Sequence, residues 1–516
     1  MPSVRTFTHI FRVVLLLVYS FAAKAQFYNL PNDYFFARLT EKQLLKKDSA
    51  IHPGIQPYVV FFSPAYQHVA DSHKVFKYIT EDPGLNLVFY DHTIKVEPKN
   101  EKLMLRFDPL INFEGGRDLA KSTKQNLYTN TRGILASGSV GDKFYFETMF
   151  SENQSVFPQY VSDAAKSSSI VPGQGRWKTF KTTGYDYAFA SGFFSVQLHK
   201  QVNLQVGHGK QKVGYGYRSL LLSDNSFNYP YARITFQAFK GKLQYSTIYA
   251  SLMNLTKASV NSNTNVERLF QKKAAAFQYL SLHPNRFLHL GLFQGLVWQA
   301  GDYRNKQNIT WQYANPLIFA NMITYGLSGR NNVLVGAEAQ VTLAKGTQAY
   351  VQYMLDELGT RGGFSSNGVQ LGIKSYDVLG IKNLFLQTEY NYVGGASYQA
   401  PGTYSTQTYA HYNQNLAYTP GAGQEFLFLA DYRYKRWFVN AKYNYLQNPA
   451  ETKAKVFTNS VNAKIGYLIN PAYNLNVCIG VNYRNQNFYN FKTLNNETGY
   501  VYLGLRTSIY NLYYDF

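Results

Sequence analysis

The chain has 516 residues, and 51 Lys plus Arg against 30 Asp plus Glu leave a formal charge of +21. Aromatic residues make up 17% of it and charged residues 16%, where soluble domains carry about 25% charged residues. The aromatic content excludes a disordered chain, the single cysteine (Cys478) excludes a disulfide scaffold, and a mean hydropathy of −0.29 argues against a helical membrane bundle. A Tyr- and Gly-rich chain of low charge points instead to β-structure with an unusual solvent on one face.

Residues 1–25 read as a secretory signal that is cleaved. Arg5 and Arg12 precede a short apolar run, Val13 to Ala23, and Ala23-Lys24-Ala25 forms an A-x-A site, which places cleavage before Gln26. The run is too short for a spanning helix, which needs about 20 residues. Residues 26–100 differ in pattern from the remainder of the chain. Ala37 to Lys47 has helical spacing of Leu39, Leu44 and Leu45, and His52-Pro53-Gly54 breaks it. This stretch is expected to be a short periplasmic or plug-like segment, partly helical and partly extended.

Residues 101–516 become a succession of segments of alternating apolar and polar residues. Successive side chains of a strand point to opposite faces, so alternation means two faces in different surroundings. Trp437, Val439, Ala441, Tyr443 and Tyr445 lie on one face and Asn440, Lys442 and Asn444 on the other. About 18 such segments can be placed, the last spanning 499–514. Every second connection is short, as at Gly141-Asp142, Lys200, Gly241, Ala344-Lys345 and Tyr434-Lys435, and the intervening ones (153–184, 209–230, 254–271, 299–331 and 394–423) are long. That alternation is expected of an all-β, transmembrane antiparallel barrel with tight periplasmic turns and large extracellular loops. A β-sandwich of this size would need several domains and linkers, and a propeller a repeat of about 40–50 residues. The sequence has neither.

The chain ends with Tyr510, Leu512, Tyr514 and Phe516 spaced by two, which is similar to the terminal signal that outer-membrane barrels present to their assembly machinery. Val501, Leu503, Leu505 and Ile509 put the apolar face on odd positions, however, so a strand through 514 needs a β-bulge near 509–511 to switch phase, or a rim that is aromatic on both faces.

Several stretches resemble one family. His52-Pro53-Gly54-Ile55-Gln56-Pro57-Tyr58 is similar to an H-x-x-I-x-P-Y motif of Wzi-like outer-membrane proteins. Phe107 to Phe113 with Gly116-Arg117-Asp118 resembles their first strand and turn. Gly214 to Asn225 resembles their G-x-G-x-R-S-L-x-L-S-D-N loop, and Asn315-Pro316-Leu317-Ile318-Phe319 their N-P-x-x-F stretch, with Asn331 where an acidic residue is expected. The family includes capsule-assembly barrels and a gliding-motility barrel usually called RemB, and this chain looks closer to the latter. The resemblance implies an 18-stranded barrel with helical material on the periplasmic side, acting in surface-polysaccharide attachment or in motility and adhesion rather than in chemistry.

Catalytic arrangements are not evident. His199 and His208 are isolated, and His283 and His289 flank one tight turn with no third ligand or base in view, so no enzyme, metal or cofactor is expected. The polar strand face carries Glu338, Asp356, Glu389 and Asp431 against Lys442, Lys464, Arg484 and Arg506. This suits either a solute-selective channel or a lumen sealed by paired charges, and the sealed form is the expectation. In the long loops, Tyr215, Tyr217, Arg218 and Tyr229, then Trp298, Tyr303, Arg304, Trp311 and Tyr313, are candidate surface-ligand residues, because aromatic faces stack on sugars and cations attract anionic polymers. Expected partners are outer-membrane lipid and lipopolysaccharide, surface polysaccharide, the barrel-assembly machinery, and motility or secretion proteins. The positive charge forms no basic stripe and the signal directs export, so nucleic acid is not an expected partner.

Overall fold

The computed structural model describes residues 28–29, 38, 41–42, 51–60, 82–98, 102–120, 125–141, 143–257, 270–301, 313–325, 331–356, 366–399, 407–449, 455–488, 496–507 and 511–516. The signal segment and most of the Ala37 to Lys47 stretch lie outside them. Eighteen strands close into a ring: β1 Leu103–Asp118, β2 Asn126–Val140, β3 Phe144–Val156, β4 Gly184–His199, β5 Val202–Gly209 and β6 Tyr229–Ala238. Next come β7 Leu243–Lys257, β8 Phe270–Asn285, β9 Leu288–Gly301, β10 Asn332–Ala344, β11 Thr347–Leu355 and β12 Asn367–Tyr376. The last third is β13 Leu384–Val393, β14 Gly423–Tyr434, β15 Trp437–Pro449, β16 Lys455–Asn470, β17 Leu475–Phe488 and β18 Asn496–Arg506. Each strand pairs antiparallel with its sequence neighbours, and β18 pairs with β1. Short turns gather at one end of the barrel and long loops at the other.

The side-chain alternation does what the sequence implies. In β17, Val477, Ile479, Val481 and Tyr483 are exposed on the outer wall, while Cys478 and Arg484 are buried on the lumen face. An apolar outer wall without a free sheet edge is the condition for spanning lipid, where no water can pair a backbone group.

The closure differs from the expectation that the last strand runs to residue 514. β18 ends at Arg506, opposite Asn112, the Thr507 N–H still donates to Ile111 O, and residues 511–516 lie off the wall. The lower half of β1 is paired instead by an upstream segment, with Ile94 opposite Phe107, Lys95 opposite Arg106 and Val96 opposite Leu105. The phase conflict in the sequence explains this. Continued without a bulge, β18 would turn Asn511, Tyr513 and Asp515 to the outside and waste the apolar positions. The structure therefore gives the wall to Ile94 and Val96, both exposed on the outside, and turns residues 511–516 into the lumen. At the upper part of this seam Gly116 lies so close to β18 that a Cβ there would collide with the carbonyl oxygen of Val501.

Just before that pairing segment, helix α1 (Pro83–Phe89) sits against the short-turn rim. Asp82 caps it by accepting from Gly84 N at 2.7 Å and Leu85 N at 3.0 Å, with Pro at the start of the helix. Its last carbonyls are taken by the rim: Arg436 Nη1 donates to Phe89 O at 3.0 Å and Asn470 Nδ2 to Val88 O at 3.1 Å.

Candidate functional site

The lumen is filled by the chain itself on the side of β5 to β13, in three tiers. Nearest the short-turn end lies the segment 51–58, whose Ile55 and Gln56 pair with Val213 and Lys212. Above it the β5–β6 connection, residues 210–228, folds inward. Leu220, Leu221 and Leu222 are all fully buried there, packed with Ile55, Phe277, Phe293, Leu334 and Met354. A run of three leucines enclosed on every side has no place on a solvated loop, and that run was the available sign that this loop turns in. The β13–β14 connection forms the top tier: Tyr398 OH donates to Leu220 O at 2.9 Å and Tyr409 OH to Leu221 O at 2.8 Å.

The middle tier is fixed by buried charge. Arg218, 1% exposed, donates from Nη2 to Glu425 Oε1 at 2.7 Å and from Nη1 to Asp515 Oδ1 at 3.1 Å. Asp515 also accepts from Lys442 Nζ and Tyr217 OH, each at 2.7 Å, and Tyr513 OH donates to Asp224 at 2.6 Å. Glu389 accepts the backbone N–H groups of Tyr217 at 2.7 Å and Arg218 at 3.1 Å, together with Tyr350 OH. Burial alone would lower the Arg218 pKa, but Asp515 and Glu425 outweigh it and hold the guanidinium well above its ordinary range. Burial would likewise raise Asp515, and Arg218 with Lys442 hold its carboxyl below the usual range. Lys210, bonded to Gly173 O at 2.7 Å, is pushed down to about 8 by burial against the pull of Asp224.

The loop candidates therefore need correction as surface residues. Tyr215, Tyr217 and Arg218 are buried in the plug rather than displayed, because the loop that carries them is apolar at its centre and charged where the wall is charged. Tyr229, the first residue of β6, is buried against the same core. Trp298 is buried on the outer wall against Tyr313, ring centroids 5.3 Å apart. Tyr303, Arg304, Trp311 and Tyr510 lie outside the described residues. Leu512, Tyr514 and Phe516 pack inside: Tyr514 and Phe516 lie against helix α2 (Gln159–Ser168) and its surroundings, where Tyr160 OH donates to Tyr514 O at 2.9 Å. Several of the charges expected on the polar face are partnered within the lumen, while Asp431, Lys442, Lys464 and Arg506 also wall a cavity beside β14–β18. Glu338 accepts from Tyr279 OH at 2.5 Å, Asp356 from the Tyr398 N–H at 2.5 Å, Asp431 pairs with Arg38, and Arg484 donates to Phe516 O at 3.1 Å.

Two open spaces are walled by the described residues. At the long-loop mouth a cup of about 550 Å³ is lined by Asn254, Ser397, Tyr398, Thr408, Asn413 and Asn415, among other uncharged residues. Its floor is braced by Lys273, whose Nζ donates to Thr408 O at 2.9 Å and Ala410 O at 2.5 Å. Asn413 Oδ1 accepts from Leu255 N at 3.2 Å, so the cup's amides are held by main chain. The second is a lumenal cavity of about 360 Å³ beside β1–β3 and β14–β18, walled by Asn112, Glu114, Lys442, Lys464, Arg506 and Tyr514 among others.

At the short-turn end His283 and His289 meet across their turn, centroids 3.8 Å apart, and His52 stacks on His283 at 3.9 Å. The third ring comes from far away in sequence, so the spacing of the pair could not announce it. His52 is tied down through Nδ1 to Ser281 Oγ and Nε2 to Gly241 O, both 2.8 Å, and burial lowers its pKa to about 4. Among the described residues no group of three or more His, Cys, Asp or Glu is placed to hold a metal ion.

No protein-family model and no curated protein matches the sequence. Solved structures do match by shape. Wzi, an outer-membrane protein involved in group 1 capsule assembly in Escherichia coli and a carbohydrate-binding β-barrel, superposes with a TM-score of 0.55 at 13% identity, covering 94% of this chain and 100% of its own. A BenF-like porin from Pseudomonas fluorescens gives 0.43 at 13% identity over 79% and 98% of the two chains. OccAB2 of Acinetobacter baumannii gives 0.43 at 11% identity over 79% and 98%. The chain is thus a closed, 18-stranded antiparallel barrel with the fold of outer-membrane proteins, similar in structure to Wzi over nearly its whole length.

Proposed function

We propose that this protein is a non-enzymatic outer-membrane barrel that holds polysaccharide at the cell surface, in capsule attachment or in adhesion and gliding. The observation that carries the reading is the pairing of a chain-filled lumen with an uncharged, amide- and hydroxyl-lined cup at the long-loop mouth. Sugar hydroxyls need donors and acceptors in fixed places and no net charge, and the braced Thr408–Ala410 backbone with Asn254, Asn413 and Asn415 supplies them. The likeness to a barrel described as carbohydrate-binding adds support. Export with cleavage before Gln26, lipopolysaccharide around the rim and delivery by the barrel-assembly machinery complete the proposal. Binding of the purified barrel to the organism's own surface polysaccharide tests it. Asn254→Ala with Thr408→Ala should weaken binding about tenfold, the equivalent of roughly 1.4 kcal/mol, by removing hydrogen bonds to sugar. Absence of binding by the parent protein overturns the reading.

A second reading, a pore for small solutes, is favoured by the cavity beside β14–β18. A steady open conductance of the parent protein in a planar bilayer would establish it in place of the first.

A further inference from the structure

A patch of the outer wall on β7–β10 breaks the rule that the rest of the wall obeys. Lumen-facing residues here are Ile248 and Ala250 in β7, Ala275 and Phe277 in β8, Phe293 and Val297 in β9, as their membership of the interior cluster shows. The alternate positions therefore face outward, among them Gln278 and Gln294. Both are 0% exposed, and Gln294 Nε2 donates to Gln278 Oε1 at 2.8 Å. Ala276, Leu296, Trp298 and Val333 on the same outer face are buried too. Two glutamines on a lipid-facing wall would be costly bare, since a polar group without partners loses several kcal/mol in hydrocarbon.

What covers them is the stretch 313–325 of the β9–β10 connection. It lies down the outside of the wall, and three successive carbonyls are satisfied by three outward side chains. Tyr249 OH donates to Ala314 O at 2.6 Å, Gln278 Nε2 to Asn315 O at 2.9 Å, and Tyr245 OH to Pro316 O. The chain then turns into the short helix α3 (Ala320–Tyr325), whose Met322 packs on the wall and whose Asn321 Nδ2 reaches Tyr313 O at 3.5 Å. Tyr245 and Tyr249 are two and six residues above Leu243, the short-turn end of β7. At about 2.5 Å per residue along the membrane normal, from a 3.3 Å rise and a tilt of about 40°, those carbonyls stand roughly 5–15 Å up a band about 25 Å tall. Irregular backbone is tolerated at that depth only when protein groups pair it, and here they do.

We propose that residues 313–325 form an intramembrane clasp, a re-entrant piece of the long-loop end that lies within the bilayer and contacts lipid acyl chains. Leu317, 66% exposed, and Ile323, 78% exposed, are the side chains turned to the lipid. The clasp converts a polar stripe of the wall into an apolar surface. It is independent of the polysaccharide reading.

The test places single cysteines at Leu317 and Ile323 in a Cys478→Ser background, with Leu119→Cys, at an exposed site beyond the long-loop end of β1, as the aqueous control. In proteoliposomes of phosphatidylcholine, a water-soluble maleimide should label positions 317 and 323 about tenfold or more slowly than 119, because hydrocarbon excludes both reagent and thiolate. Acyl-chain-brominated lipid should quench a fluorophore at 317 or 323 and not one at 119. Labelling at 317 as fast as at 119 overturns the proposal. So does protection seen in native membranes but absent from proteoliposomes, since a protein partner would then be the cover. Gln278→Leu should speed labelling at 317 by releasing the Asn315 carbonyl, and if that variant fails to fold the two cysteine measurements stand without it.

Discussion

The two sides of the lumen are built on different principles. Beside β5–β13 the barrel encloses an apolar core of leucines and aromatic rings, brought in by residues 51–58, 210–228, 394–399 and 407–422, which packs like the interior of a soluble domain. Beside β14–β18 and β1–β3 the same wall surrounds an open cavity of charged, amide and aromatic side chains. Residues 511–516 enter it, held by charge at Asp515 and by packing on α2 at Tyr514 and Phe516. The difference shows that an 18-stranded ring does not fix the contents of its lumen. A loop rich in leucine makes a core, and a segment ending in Asp515 and Phe516 makes an ionic latch between core and cavity.

Substitutions across that divide should separate the two sides. Phe277→Ala, on the packed side, should cost about 3–5 kcal/mol as a cavity among Phe293, Tyr409 and the plug leucines, whereas Asn462→Ala on the cavity wall should change stability by less than about 0.5 kcal/mol. Urea unfolding in lipid vesicles reads both, and equal effects would mean the sides are not distinct. Arg218→Met attacks the latch between them. It strands Glu425 and Asp515 in a buried site at a cost of about 3 kcal/mol. It should also free residues 511–516, seen as a rise in planar-bilayer conductance over the parent protein.

A smaller effect than the Phe277 and Arg218 losses concerns the anchor of the packed side. The folded pKa of His52 lies near 4 and its ordinary value is 6.5, so between those pH values the unfolded chain binds a proton that the folded chain does not. Stability should therefore fall as pH drops through that window, by up to about 2 kcal/mol at pH 5. His52→Phe should flatten this part of the pH profile, and an unchanged slope would show that the ring stack is not its source.

Much of the wall could be read from the sequence because period-two alternation and loop length are local. β2 runs over 126–140 as expected, and the β10, β13 and β15 starts fall within one residue of expectation. The β18 end could not be read. The odd-to-even switch near 509 was visible, but whether a bulge or a departure resolves it depends on Ile94–Val96 being at hand to fill the gap. The candidate residues of the 210–228 loop were set on the surface, whereas the structure buries them. Their partners Glu389, Glu425 and Asp515 lie some 170 to 300 residues away, beyond the reach of spacing.

Alternation and loop length in the sequence were enough for the barrel: which residues face outward, about how many strands there are, and which end carries the loops. All of that follows from alternation between two solvents along each strand. Where the loops go depends on contacts made across the folded ring. One turns inward because its leucines and Arg218 find a core and two carboxylates there. Another lies on the outer wall because three of its carbonyls find Tyr245, Tyr249 and Gln278. Such pairings join side chains far apart in sequence, and closure of the ring alone brings them together.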